Sequence, residues 1–334
     1  MIAFISSPSF DPNIFSKGVS KGDWTELINN PLHPLENKPI QGQYPPASTF
    51  KLITAAAALE EKVITPTTKI YSGETFRFGN RDFRDWKQGG HGTIDVHRAI
   101  VESADTFFYQ VGLKVGVDRL AYYAKGFGFG QKTGIQLTNE KKGVVPSSKW
   151  KKEVYKAPWY EGETISVSVG QGYFLATPLQ MANAYAAISN GGKLFLPQVV
   201  EQVKDIDGNI LWEFKPKAIG IVPASKETLD ILKKALHGVV HEDGGTARSL
   251  RIDGIPIAGK TGTAQVVKLK ENAPRLKLHQ VPYEQRDHAW FIGFAPADEP
   301  KIVVAVMVEH GGFGSEAAAP VAKEVIKAYL RDRL

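Results

Sequence analysis

Cysteine is absent from this chain of 334 residues, so the fold can contain neither a disulfide bond nor a cysteine ligand for a metal. Long apolar runs are absent too: no uninterrupted stretch of about 18 apolar residues occurs, which predicts no transmembrane helix. The first residues, 1–8, lack the basic leader of a signal peptide. The content of 43% hydrophobic and 23% charged residues is typical of a globular protein.

An acidic balance is also lacking, because the formal net charge is +6. Basic residues crowd two stretches, 141–156 and 268–277. A positive surface can attract nucleic acid or other anionic partners. Neither stretch carries a nucleic-acid-binding motif or the interleaved aromatic residues that stack on bases. We therefore predict solvated faces and no nucleic-acid partner, with a membrane surface or an anionic glycan strand as the alternative.

Ser48 and Lys51 form the first motif with possible chemistry. Pro45 and Pro46 disfavour helix before Ser48, whereas the alanine-rich segment 52–60 favours helix after it. Lys51 is therefore expected one helical turn from Ser48, on the same face. A serine becomes a nucleophile only when a neighbour takes its proton, and a lysine can do so only when its pKa is lowered. Taken alone, this S-x-x-K pattern also fits a helix cap followed by a solvated lysine.

Two further segments complete a known order of motifs. Ser103-Ala104-Asp105 follows a helical-looking segment, and Lys260-Thr261-Gly262-Thr263 opens a strand-like one. The order S-x-x-K, S-D-N and K-T-G occurs in penicillin-binding proteins and class A β-lactamases. Because the parts are far apart in the sequence, a large fold has to bring them together.

The resemblance to class B penicillin-binding proteins covers nearly the whole chain. Within that family the chain is most similar to the elongation-specific type 2 proteins, in which the second motif ends in aspartate, as Asp105 does here. The segments that carry the resemblance are 44–51, 84–92, 102–110, 156–160, 170–182 and 185–192.

A single transpeptidase domain of two lobes is predicted for residues 1–334. The pattern between about 51 and 190 is mostly helical, which predicts a helical lobe inserted into a sheet lobe formed by 1–50 and 190–334. The catalytic cleft is expected where the lobes meet. The resemblance implies the same α/β (mixed α+β) arrangement, the penicilloyl-serine transferase fold, with an antiparallel sheet flanked by helices.

Strand signals lie near both ends of the chain. They cover Ile2–Ser6, 259–267 and a hairpin of 289–295 with 302–308. A last helix is predicted over 318–333, and it buries a face formed by Val321, Val325, Ile326 and Tyr329. The polar segment 268–288 is expected to be a mobile loop that overhangs the cleft.

The resemblance implies acyl transfer through a serine ester, with peptidoglycan stem peptides as substrates. Ser48 attacks the amide between two terminal D-alanines, Lys51 accepts its proton, and Ser103 returns a proton to the leaving nitrogen. Asp105 orients Lys51 or the substrate amide. A carboxylate there also favours the charged form of the lysine, so either Asp105 is kept away from Lys51 or protons move within the network.

The third motif is expected to bind the substrate's terminal carboxylate. Lys260 supplies a fixed positive charge, and Thr261 and Thr263 supply hydroxyl groups. Gly262 leaves room for the substrate backbone along the strand edge. The resemblance implies an oxyanion hole formed by the backbone N–H groups of Ser48 and Thr263, and acylation of Ser48 by β-lactam antibiotics.

Three other activities share these motifs. A β-lactamase needs a glutamate that deacylates the enzyme, but no E-x-x-L-N segment occurs between Ser103 and Lys260. A D-alanyl-D-alanine carboxypeptidase differs only in using water as the acceptor. A non-catalytic penicillin-binding sensor or scaffold is the third alternative, and the three intact motifs argue against it.

No cofactor or metal is predicted. Some relatives of this type bind zinc near Asp85 and His91, but too few ligands are evident here, so structural roles are favoured for both residues. His237 and His241 lack the H-E-x-x-H pattern and are predicted to be surface or helix-end residues.

The resemblance also implies a longer protein. Family members carry an N-terminal membrane anchor and a pedestal domain, which this sequence lacks, so we expect a soluble piece of a protein held at the periplasmic face of the bacterial inner membrane. The implied partners are a SEDS-family glycosyltransferase and a rod-shape scaffold protein, both contacted largely through the anchor and pedestal.

Overall fold

Helices are the main elements of the described chain. The computed structural model describes residues 1–16, 18–267 and 276–331. Its α-helices are α1 (Lys21–Asn29), α2 (Lys38–Gln41), α3 (Lys51–Glu60), α4 (Val96–Val101), α5 (Asp105–Val115), α6 (Val117–Gly126), α7 (Ser148–Tyr155), α8 (Glu161–Ser168), α9 (Pro178–Ser189), α10 (Lys226–His241) and α11 (Gly314–Leu330). Their starts follow capping chemistry, for example at α9, where Thr177 and Gln180 form a reciprocal capping box.

The strands form one larger sheet and several small ribbons. In chain order they are β1 (Ile70–Ser72), β2 (Thr75–Phe78), β3 (Arg81–Arg84), β4 (Gly92–Ile94), β5 (Lys193–Phe195), β6 (Gln202–Lys204), β7 (Ile210–Glu213), β8 (Ala218–Ile221), β9 (Ala258–Ala264), β10 (His288–Ala295) and β11 (Ile302–Val308). Within the described ranges, β11, β10 and β9 form a three-stranded antiparallel sheet, and the pairs β1–β4, β2–β3, β5–β8 and β6–β7 form two-stranded ribbons.

The three-stranded sheet is held between helices. Helices α10 and α11 pack against it, and α9 contacts β10 and β11. Trp290, Phe291 and Phe294 of β10 are fully buried, as the aromatic and apolar sequence of this central strand predicts. Each buried aromatic side chain contributes roughly 1.5–3 kcal/mol through its removal from water. The sheet is thus a rigid base for the third sequence motif, which lies in β9.

Helix α3 is buried along almost its whole length. The residues from Lys51 to Ala58 are all buried, and α5, α6 and α10 pack around the helix. Its four consecutive alanines (55–58) permit this close packing on all sides because their side chains are small. A short 3₁₀ turn, Ala47–Phe50, precedes α3 and carries Ser48. The nucleophile candidate therefore lies at the entry to the most enclosed helix.

The predicted strand at the start of the chain is wrong. Residues 2–6 form no strand in the structure. Ile2 and Ile5 are 69% and 77% exposed, so the alternating apolar pattern is not turned towards a core. A strand needs a partner for its backbone groups, and none of the strands in the described ranges pairs with this segment.

The end of the chain also differs in detail. Helix α11 begins at Gly314, four residues before the predicted start, and the predicted end at position 333 lies outside the described residues. Ile326 is buried as predicted, but Val321 and Val325 are 48% and 36% exposed. The buried face is instead formed mainly by small residues, because Ala318, Ala319 and Ala322 approach the sheet closely.

Only residues 276–288 of the predicted loop 268–288 are described by the structure. Positions 268–275 lie outside the described residues, so the expected mobility of this part is not addressed. The remainder contains two short 3₁₀ turns, Leu278–Gln280 and Tyr283–Gln285.

The mixed α/β fold with an antiparallel sheet is confirmed, whereas the exact division into two lobes stays a prediction. The region 51–190 holds helices α3 to α9, as predicted. It also holds two ribbons, one formed by β1 with β4 and the other by β2 with β3. Over the ranges that the structure covers, no helix is both long enough and apolar enough to cross a membrane.

Candidate active site

Ser48 lies on a 3₁₀ turn that is tied to three different parts of the fold. The Ala47 amide donates to the Gly170 carbonyl oxygen at 2.8 Å. From α9, the buried Tyr185 hydroxyl donates to the Thr49 carbonyl oxygen at 2.9 Å, and from β10, Trp290 Nε1 donates to the Pro45 carbonyl oxygen at 3.1 Å. Ser48 itself is half-buried. The turn therefore presents one serine at a fixed place between the sheet and the helices.

Lys51 is fully buried, and its amine forms hydrogen bonds to residues other than Ser48. Its Nζ donates to Asp105 Oδ1 at 2.7 Å, to the Ser103 carbonyl oxygen at 2.8 Å and to Ser103 Oγ at 3.3 Å. Within the described residues, no hydrogen bond joins Lys51 Nζ to Ser48 Oγ. Of the two alternatives for Asp105, the first is therefore excluded: the carboxylate is not kept away from Lys51 but forms an ion pair with it.

Ser103 links two buried amines. Its Oγ accepts from Lys260 Nζ at 2.8 Å and lies 3.3 Å from Lys51 Nζ. Neither lysine has exposed surface, and Ser103 is only 5% exposed. Asp105, Lys51, Ser103 and Lys260 thus form a continuous chain of hydrogen bonds. The structure brings together residues from α3, from the turn before α5 and from β9, as the three motifs predict.

The surroundings of Lys260 oppose a positive charge in the absence of a substrate. Burial, and the positive charge of Lys51 beside it, hold the pKa of the Lys260 amine well below its usual range, and Asp105 only partly opposes this. Burial also raises the pKa of the Asp105 carboxyl, against the attraction of Lys51. Burial thus disfavours the charged form of both end groups of the hydrogen-bonded chain, the Asp105 carboxylate and the Lys260 ammonium.

Gly262 is required by the protein's own packing. A Cβ atom at this position would lie 3.0 Å from Thr49 Cγ2, 3.1 Å from Trp290 Cβ and 3.2 Å from the Pro46 carbonyl oxygen. The space that a side chain would fill is thus occupied by the turn that carries Ser48. The structure thus gives this glycine a packing role in the close contact between β9 and the nucleophile turn, while room for a substrate stays a prediction.

The two threonines of the third motif lie on either side of Gly262 in β9. Thr261 is buried and its Oγ1 is 2.8 Å from Thr246 Oγ1, whereas Thr263 is half-buried and its carbonyl oxygen accepts from Gln171 Nε2 at 3.4 Å. Gln171 lies in segment 170–182, one of the segments that carry the resemblance to class B penicillin-binding proteins. The structure therefore adds Thr246 and Gln171 to the predicted set, and only the second had a signal in the sequence.

A charged network lies directly behind the second motif. His91 Nε2 is 3.0 Å from Asp85 Oδ1, and His91 Nδ1 is 2.7 Å from Glu102 Oε2. Glu102, which precedes Ser103, was missed by the sequence analysis because nothing in its neighbourhood suggested a partner. Both ring nitrogens of His91 face carboxylates, so no ring nitrogen is left to bind a metal. Among the described residues no group of metal-binding side chains is arranged to hold an ion, and the residues do not fit the zinc site of some relatives.

The geometry agrees with comparisons to known proteins. The family described as penicillin binding protein transpeptidase domain matches residues 1–327. The chain belongs to this family. Peptidoglycan D,D-transpeptidase MrdA of Haemophilus influenzae is 42% identical over 339 residues, a match that covers 100% of this chain and 52% of that protein. The chain therefore spans about half the length of this relative.

Solved structures of penicillin-binding proteins share the fold. A crystal structure of Pseudomonas aeruginosa PBP2 in complex with WCK 5153 has a TM-score of 0.84 and 38% identity, and the match covers 98% of this chain and 70% of that one. A complex of PBP2 with MreC from Helicobacter pylori has a TM-score of 0.86 and 34% identity, over 99% of this chain and 58% of that one. These relatives confirm the predicted class B, type 2 resemblance and the transpeptidase fold.

Proposed function

We propose that this penicillin-binding domain is a D,D-transpeptidase that crosslinks peptidoglycan stem peptides through an acyl-enzyme on Ser48. The observation that carries the proposal is the position of Ser103 Oγ between Lys51 and Lys260, behind the turn that holds Ser48. This arrangement supplies a nucleophile, a proton acceptor and a path for the proton. The name and similarity of the relatives support the same chemistry.

Acylation begins with proton movement away from Lys51. Asp105, whose pKa is raised by burial, accepts a proton from Lys51 over 2.7 Å. The neutral amine turns to Ser48 and takes the Oγ proton while Oγ attacks the carbonyl carbon between the two D-alanines. That proton passes through Ser103 Oγ to the amide nitrogen, the terminal D-alanine leaves, and Ser48 keeps the peptide as an ester.

The third motif binds the substrate's terminal carboxylate. Lys260 regains a proton there, because a nearby anion favours the charged amine. Thr261 and Thr263 contribute hydroxyl groups, and the backbone N–H groups of Ser48 and Thr263 stabilise the oxyanion; the loss of one such donor costs about 10²–10³ in rate in comparable sites. An amine of a second stem peptide then attacks the ester, forms the crosslink and returns a proton to Ser48 through the same network.

The acyl-enzyme is tested by labelling with a fluorescent penicillin. We expect wild type to form a persistent adduct on Ser48, found by mass spectrometry of the peptide, and Ser48→Ala to lose labelling with an unchanged melting temperature. Ser16→Ala, on an exposed turn, is the matched control and keeps full labelling. Labelling that survives in Ser48→Ala would overturn the assignment, and rapid nitrocefin turnover without an adduct would favour a β-lactamase.

Three related activities are separated by the fate of the acyl group. The test is to incubate the protein with a stem peptide that ends in D-alanyl-D-alanine and with an acceptor amine. Crosslinked product supports a transpeptidase, release of D-alanine without crosslinking supports a carboxypeptidase, and neither product, despite penicillin labelling, supports a sensor or scaffold.

The cellular setting is part of the same proposal. We place the domain at the periplasmic face of the inner membrane, within a longer protein that carries a membrane anchor and a pedestal. We also propose a rod-shape scaffold protein and a SEDS-family glycosyltransferase as partners; the complex of the Helicobacter pylori relative with MreC supports the first. Co-purification of the full-length protein with each partner tests this, and substitutions that slow acylation of Ser48 are expected to confer β-lactam resistance.

A further inference from the structure

Ser103 has a backbone conformation that its neighbours have to maintain. Its φ angle is +58°, in the left-handed region that residues with a side chain rarely adopt. Such a conformation costs on the order of 1–3 kcal/mol and persists only where the surrounding structure fixes it. The conformation matters because it accompanies the placement of Ser103 Oγ between Lys51 and Lys260.

The connection between β3 and β4, residues 85–91, fixes the chain on both sides of Ser103. We name residues 85–91 the strap. On one side, Trp86 Nε1 donates to the carbonyl oxygens of Glu102 and Ser103, both at 3.1 Å. On the other side, Asp85 Oδ2 accepts from the Thr106 amide at 3.0 Å, in the first turn of α5. The strap therefore bonds to the residue before Ser103, to Ser103 itself and to the helix that follows.

His91 closes the strap onto the second motif. Its side chain is fully buried between Asp85 Oδ1 and Glu102 Oε2, at 3.0 Å and 2.7 Å. Burial alone would raise the pKa of both carboxyls, but hydrogen bonds to His91 and other donors lower it, so both are ionised and only accept hydrogen bonds. Each ring nitrogen of His91 therefore faces a carboxylate oxygen within hydrogen-bond distance.

Lys87 and Arg98 also belong to this network. Lys87 Nζ and Arg98 Nε contact the Glu102 carboxylate at 2.8 Å and 2.5 Å, and the Lys87 backbone amide donates to Asp85 Oδ1 at 3.1 Å. His91 contacts both carboxylates directly through its imidazole ring, one with each ring nitrogen.

We propose that His91 is a positioning residue for the acyl-transfer reaction: by bridging Asp85 and Glu102 it holds Ser103 in the left-handed conformation that places Ser103 Oγ between the two lysines. This inference rests on the proposed function, because it concerns the proton path through Ser103. His91 touches neither the substrate nor the reacting atoms.

The test is a double-mutant cycle on the rate of Ser48 acylation by a fluorescent penicillin. His91→Gln keeps a donor for one carboxylate but presents an acceptor to the other, so we expect acylation to slow about 10- to 100-fold. In the Ser103→Ala background, where no Oγ is left to position, the same substitution is expected to change the rate less than twofold. Slow rates are followed by intact-protein mass spectrometry.

A merely structural role gives a different result. His91→Gln would then slow both backgrounds by the same factor, and this outcome overturns the proposal, as does an unchanged rate in His91→Gln alone. His97→Gln is the matched control: His97 also contacts a carboxylate, Glu242 at 2.9 Å, but lies outside the strap, and its rate is expected to stay within twofold of wild type. All rates are measured well below each variant's melting temperature.

A second variant covers the case in which His91→Gln does not fold. Glu102→Gln keeps an oxygen that accepts from His91 Nδ1 but removes the charge, so we expect a smaller loss of rate, again absent in the Ser103→Ala background. Equal losses in both backgrounds would again overturn the proposal. Failure of wild type to label with penicillin would instead overturn the proposed function, so the two failures are distinguishable.

Discussion

At the scale of single residues, the Lys260 amine is a group whose pKa is strongly lowered by its surroundings. It has no exposed surface, it donates to Ser103 Oγ, and a second buried lysine lies on the other side of that hydroxyl. Two buried amines on either side of one hydroxyl disfavour each other's charged form. The charge of the site is therefore set by its occupant, and a substrate carboxylate supplies the missing negative charge.

The lowered pKa of Lys260 predicts how stability depends on pH. Between the pKa of the folded protein and the usual value near 10.5, the unfolded chain binds the extra proton, so the free energy of unfolding rises with pH over this window. One proton corresponds to a slope of about 1.4 kcal/mol per pH unit. In Lys260→Met we expect that part of the slope to disappear over this window.

Urea unfolding of the two proteins at several pH values provides the measurement. Lys152→Met, on the exposed face of α7, serves as the control and is expected to follow wild type. If the free energy of unfolding changes with pH in the same way for wild type and Lys260→Met, Lys260 keeps its proton in the folded protein.

The types and order of the site residues could be predicted from the sequence, because nucleophile, amine and hydroxyl motifs are local patterns. The left-handed Ser103, the ion pair of Lys51 with Asp105 and the neutral tendency of Lys260 could not. Each depends on what lies across the site from another part of the chain. Spacing along a sequence contains no measure of burial, and burial decides these properties.

At the scale of elements, β9 and the turn 47–50 are in close contact. It exists because Gly262 has no side chain. Local patterns predicted β10 and β11 well, since both strands are strongly apolar. They failed for residues 2–6, whose alternation has no partner strand within the described residues to bury it. Local patterns also predicted the wrong buried residues for α11, because small alanines rather than the larger valines face the sheet.

Gly262→Ala is expected to separate site geometry from overall stability. The added methyl group would press on Thr49, Trp290 and the Pro46 carbonyl oxygen, and overpacking of this kind typically costs about 1–3 kcal/mol. Because one of the displaced parts carries Ser48, we expect penicillin acylation to slow at least tenfold at a temperature where the variant is fully folded.

The control for this substitution is Gly22→Ala, in the exposed helix α1, where the nearest atom to an added Cβ is Ser20 Oγ at 3.7 Å. It should leave acylation unchanged and, since alanine favours helix, should not lower the melting temperature. Wild-type acylation in Gly262→Ala would mean that the turn yields to the methyl group without moving Ser48.

At the scale of the whole molecule, one hydrophobic core runs through both predicted lobes. Its buried residues extend from Tyr44 through α3, α5 and α9 to Leu330 in α11. Where a core is shared, neither part can lose its packing without exposing the other.

A single cooperative unfolding transition is therefore expected in calorimetry, despite the length of 334 residues. The calorimetric enthalpy should equal the van't Hoff enthalpy, and acylation by penicillin should shift the whole transition. Two resolved transitions, only one of which responds to penicillin, would show instead that the lobes fold independently.

The start of α11 lies directly against the site. A Cβ atom on Gly314 would come within 2.2 Å of the Trp290 carbonyl oxygen and 2.6 Å of the Gly262 carbonyl oxygen, so this helix start is inserted against β9 and β10. The turn that carries Ser48 and this helix start are distant in the sequence, yet both pack against Gly262. A truncated chain that ends before Gly314 would therefore keep all three motifs but lack one wall of the site.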